Sequence, residues 1–99
     1  MYEKGGKTMT QQQTFGIAAF RSRQQVMRFD AALRRAGIPC DIISTPRDVA
    51  LGCGLSVRFD LQYARAAQDV YRRARPGNLI GFYQVTLIPG QRPTVEALF

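Results

Sequence analysis

Cys53 stands between Gly52 and Gly54, so no neighbouring Cβ shields its sulfur. Glycines also admit positive φ values that turn backbone N–H groups toward an anion, which suits a thiolate or a persulfide. Arg47 and Arg58 bracket the triplet in sequence, and a guanidinium facing the sulfur favours the ionised form over the thiol. An unperturbed cysteine is only a few per cent thiolate near neutral pH, so such neighbours decide whether the sulfur is a nucleophile. The same triplet also reads as a turn entering a strand, with Cys53 a small packed hydrophobe. Cys40 begins an apolar stretch after Pro39, where a packed thiol is ordinary. The chain has no His, which removes the commonest general base, most zinc-ligand sets and the neutral-pH switch. Neither a metal centre nor a cofactor site is expected: Gly52 and Gly54 precede a strand and not a helix, so no phosphate loop is present.

The elements that must hold these residues follow from periodicity. Met1 to Gln13 has too few apolar residues to offset ordering and reads as a flexible tail, 1–13. Thr14 to Phe20 is an apolar run that reads as a buried strand. Ser22 caps a helix over about Arg23 to Ala36, with Val26, Phe29, Leu33 and Ala36 on one face and Gly37 and Pro39 as its stop. Cys40 to Thr45 reads as the second strand, ended by Pro46. Leu55 to Phe59 alternates, so Leu55, Val57 and Phe59 share one face and Ser56 and Arg58 the other. Asp60 leads into a second helix with Tyr63, Ala67, Val70 and Ala74 in a stripe, stopped by Pro76 and Gly77. Leu79 to Ile88 is the last strand expected. Residues 89–99 form an extension ending in a small apolar cluster, Val95 and Ala97 to Phe99, which reads as docking on a neighbour.

This order predicts one α+β domain over residues 14–88, the ferredoxin-like βαββαβ fold. Its four antiparallel strands would lie in the order 4-1-3-2 with two helices on one face. With Leu55, Val57 and Phe59 facing inward, the expected open face carries Ser56 and Arg58 beside Gly16, Ala18 and Phe20 of strand one. Such a face is too apolar to stay wet and points to a homodimer. The connection between strands two and three is longer than a tight hairpin needs, and extra length often marks function. Cys40 and Cys53 fall at opposite ends of that hairpin, which disfavours a disulfide between them.

The path from the first strand through Ser22 and Ala36-Gly37-Ile38-Pro39 to Thr45-Pro46-Arg47, Cys53-Gly54-Leu55 and Val57-Arg58-Phe59 resembles the small family of selenium/sulfur carrier-like proteins. The resemblance covers about Thr14 to Val85. It implies that Cys53 carries sulfur or selenium, as a persulfide or selenosulfide, between a donor enzyme and an acceptor enzyme. Members often have His after the helix-one cap, where this chain has Arg23 and Gln24. The implied protein is a carrier or binding protein rather than a turnover enzyme. The reading from another class is a ferredoxin-like interaction or regulatory module that does no chemistry and presents a basic helical face.

That face comes from charge. Lys and Arg number 14 against 7 Asp and Glu, for a net +7, and twelve of the fourteen are Arg. The first helix region carries +4 and the second +2, which suits an acidic partner or simply a solvated surface. Nucleic acid is disfavoured, because the expected open face has no aromatic platform for stacking bases. Two cysteines cannot build a disulfide framework, which suggests a reducing compartment such as the cytoplasm. No apolar run is long enough for a membrane span, and no signal peptide is apparent.

Overall fold

β1 (Gln13–Phe20) is the chain's most continuous apolar run, and it lies at the centre of the sheet with both faces covered. The computed structural model describes residues 12–49 and 52–99. After β1 come α1 (Arg23–Arg35), β2 (Cys40–Ser44), β3 (Leu55–Phe59), a short 3₁₀ turn (Leu61–Tyr63), α2 (Ala64–Ala74), β4 (Leu79–Leu87) and β5 (Thr94–Ala97). The sheet runs β2-β3-β1-β4-β5, and every pair of neighbours is antiparallel. The expected tail falls mostly on residues outside those described, and Gln13 is already paired with Leu87.

The helices form where their apolar stripes can be buried. Val26, Phe29, Ala32 and Leu33 of α1, with Ala67 and Val70 of α2, pack on Ala18, Phe20, Val57, Phe59 and Phe82. Aromatic rings knit this core: Phe29 meets Phe20 at 5.5 Å and Phe82 at 6.0 Å between centroids, and Phe82 meets Phe59 at 6.3 Å. No described helix is long and apolar enough to cross a membrane.

Two expectations are corrected. The sheet has five strands, so the four-stranded ferredoxin-like arrangement is not matched as such; the order 4-1-3-2 recurs within it, extended at the β4 edge. The added strand is the C-terminal apolar cluster, which docks on its own sheet because Val95 packs against the second face and the Leu98 N–H donates to the Phe82 carbonyl at 2.9 Å. Strand parity also departs from the expectation. Antiparallel pairing sets Gly16 opposite Phe59 and Ala18 opposite Val57, so Gly16, Ala18 and Phe20 face the helices. Phe15, Ile17 and Ala19 face the other way, and they are buried beside Val85 and Val49, the latter from the β2–β3 connection. The face on which a homodimer was expected is therefore largely covered from within this chain.

Candidate functional site

The β2–β3 connection straddles one end of the sheet. Its early part reaches the second face, where Val49 is buried, and Asp48 lies 3.7 Å from Arg92 of the β4–β5 turn. Its last part returns to the helix face, where Cys53 packs against the main core. The Thr45 N–H donates to the Gly54 carbonyl at 2.9 Å and closes the loop, and the hydroxyls of Thr45 and buried Ser56 share a 2.7 Å hydrogen bond behind it.

Both flanking glycines are dictated by this path. A Cβ on Gly52 would lie 2.6 Å from Ile80 Cδ1 and 2.7 Å from the Phe20 carbonyl oxygen, at a φ of +149°. Gly54 has open space around it but a φ of +86°, which L side chains resist. The Cys53 N–H donates to the Phe20 carbonyl at 3.2 Å, so that amide is spent on anchoring the loop and is not turned toward an anion as the triplet alone suggested. Cys53 itself is a free, half-buried thiol whose Sγ lies 3.8 Å from the Leu55 carbonyl, a long and weak contact.

The two arginines are not brought together at the sulfur. Arg58 stands on the opposite face, its guanidinium 4.2 Å from the centre of the Phe15 ring, and pairs across the sheet with Ile17, three residues down β1 from Phe20. Arg47 is exposed and lines a hollow of about 370 Å³ with Pro46, Asp48, Arg92 and Pro93. The positive charge at the Cys53 end comes from elsewhere. Phe20 leads through Arg21 and the extended Ser22 into α1, whose first turn contains Arg23, no acid and no side-chain cap. The helix dipole adds to this charge. The strand-then-helix order held the signal, since a β1 paired antiparallel with β3 ends where β3 begins.

Cys40 has the opposite surroundings. It is buried at the start of β2, opposite Phe59, with its thiol 3.2 Å from Asp30 Oδ1. Arg34 fixes the cluster, donating to Asp30 Oδ2 at 3.0 Å and to the Cys40 carbonyl at 2.8 Å. Burial, then the hydrogen bond to Asp30 and the charge of that carboxylate, push the Cys40 thiol up to about 12. Among the described residues no group of three or more His, Cys, Asp or Glu side chains could hold a metal ion.

A family model described as "Putative Se/S carrier protein-like" matches residues 15–77, a span that includes Cys40, Cys53 and the whole connection between them. No curated protein and no solved structure matches the chain.

Proposed function

The chain belongs to the Se/S carrier protein-like family, and from that premise we propose that Cys53 is the sulfur- or selenium-carrying thiol. In loading, the Cys53 thiolate attacks the outer sulfur of a donor persulfide and expels the donor thiolate, leaving a persulfide on Cys53. In unloading, an acceptor thiolate attacks that outer sulfur and Cys53 departs as the thiolate. The selenium case runs alike through a selenosulfide. The partners are then donor and acceptor enzymes, and Cys53 with Gly52 and Gly54 forms the reacting segment. Arg58 contributes through the sheet, where it covers the Phe15 ring, and Arg47 stands exposed on the connection.

The observation that carries this reading is the contrast between the two thiols. Cys53 is half-buried at a loop end, whereas Cys40 is buried and hydrogen-bonded to a carboxylate that opposes its ionisation. Incubation with glutathione persulfide followed by intact-mass analysis tests it. Wild type and Cys40→Ser should each gain one sulfur, and Cys53→Ser should gain none. Alkylation at neutral pH should likewise be at least about tenfold faster at Cys53 than at Cys40. Equal labelling of the two cysteines, or none at Cys53, overturns the proposal in favour of an interaction module without chemistry.

A further inference from the structure

α1 and α2 lie side by side on the sheet without filling the space between them. Ala31 and Ala32 on α1 and Ala74 on α2 project too little to close it, leaving two adjoining hollows of about 360 and 330 Å³ that share Ala32, Arg35 and Ala74. The result is one groove with a floor of small apolar side chains. Arg28 and Arg35 stand on the α1 bank and Arg73 on the α2 bank. None of the three is paired with an acid among the described residues: Asp30 is taken by Arg34, and Asp69, four residues before Arg73, forms no ion pair with it.

We propose that this groove docks an acidic segment of a protein partner, with small apolar side chains on the alanine floor and carboxylates on the arginine banks. Charge complementarity selects the occupant, since the chain carries +7 and these banks hold arginine without a matched acid among the described residues. The floor selects protein over nucleic acid. A phosphate backbone would use the banks but has nothing to place in an alanine trough, and Tyr71, the aromatic of α2, is turned into the core against Phe29 and Phe82.

One lining residue of the groove, Pro76, is tied through the chain and its hydrogen bonds to the strand end that holds Cys53. It lies two residues before Asn78, whose carbonyl accepts from the Arg21 N–H at 2.8 Å; Phe20, the residue before Arg21, holds the Cys53 amide. A segment seated between the helices would hold its parent protein on the same side of the sheet as that sulfur. This role in transfer rests on the carrier reading, whereas docking itself does not.

The test uses the 99-residue chain and a fluorescent peptide of alternating Glu-rich and Ala/Leu positions, read by anisotropy. The triple charge reversal Arg28→Glu, Arg35→Glu, Arg73→Glu should weaken binding by at least about tenfold, and added salt should weaken the wild-type complex. Ala74→Leu, at an exposed position, fills the floor without altering charge and should also weaken it, with circular dichroism confirming that both variants are folded. A single-stranded oligonucleotide of equal charge should bind less tightly and be indifferent to Ala74→Leu. Absence of salt-sensitive peptide binding to wild type, or binding that survives both variants, overturns the proposal; tighter oligonucleotide binding assigns the arginines to phosphate instead. Cys53→Ser should leave peptide binding unchanged, so failure of docking and failure of sulfur transfer are read separately.

Discussion

Cys40 illustrates how a neighbour can silence a thiol. Its sulfur donates to the Asp30 carboxylate, and ionising it would place a second negative charge 3.2 Å from the first in a buried position. Because the folded thiol titrates near 12 against an ordinary value of 9.0, the unfolded chain releases this proton first as pH rises. The contribution is fully present below pH 9 and is lost between about 9 and 12, so stability should fall across that window. Urea unfolding from pH 8 to 11 should show a steeper loss for wild type than for Cys40→Ala, the difference isolating this group from the rest of the chain. Arg58 holds its charge over an aromatic ring on the face away from Cys53. Arg58→Ala removes the guanidinium from the Phe15 ring and should cost about 1 kcal/mol in a urea melt, while Cys53 alkylation stays within twofold of wild type. The alternation of Leu55, Val57 and Phe59 already implied that Arg58 points away from their face, whereas its nearness to Cys53 in sequence suggested the reverse. Periodicity was the better guide, because in a strand side-chain direction is fixed by parity.

Among the elements, β3 has the bounds that alternation predicts, and α1 ends one residue earlier than Gly37 suggested. The β2–β3 connection was legible as unusual but not as to its path, because the anchoring of the Cys53 amide on Phe20 and the burial of Val49 both depend on partners distant in sequence. That path makes Gly52 more demanding than Gly54. Gly52→Ala meets the Phe20 carbonyl and Ile80 together with an unfavourable φ, and should cost roughly 2–3 kcal/mol; Gly54→Ala pays mainly for φ, roughly 1 kcal/mol. Chemical denaturation of the two variants should reproduce that order. Gly52→Ala should also change the Cys53 alkylation rate, since the loop must lift from the end of β1. β5 was not legible as a strand. Four residues after a Pro and a Gly carry little pattern of their own, and their strand character comes from pairing Thr94 to Ala97 with Tyr83 to Thr86.

For the molecule as a whole, the family match ends at residue 77, yet β4 and β5, both beyond that point, complete the sheet. β4 pairs with β1 along its length and supplies Phe82, whose ring meets those of Phe29, Phe59, Tyr71 and Phe99. A chain ending at Gly77 therefore exposes one edge of β1 and removes the residue that joins both helices to the sheet, and it should not fold on its own. Phe82→Ala tests the same hub within the full chain and should cost roughly 3–5 kcal/mol, a large share of the ~5–15 kcal/mol typical of a domain. Ending the chain at Pro93 is a milder cut. It removes β5, the Leu98 bond to Phe82 and the Phe99 ring 5.7 Å from Phe82, but leaves β2-β3-β1-β4 and both helices intact. Val95 and Leu98 are only partly buried, so this truncation should cost roughly 1–3 kcal/mol rather than abolish folding. Two strands separate β5 from the β3 end that carries Cys53, so sulfur loading and the alkylation contrast between the cysteines should survive in the shortened chain. Measured by urea unfolding and intact mass, a folded truncation at Pro93 that still loads Cys53 would place β5 as a stabilising edge; loss of loading with the fold intact would make the C-terminal strand part of the reacting end.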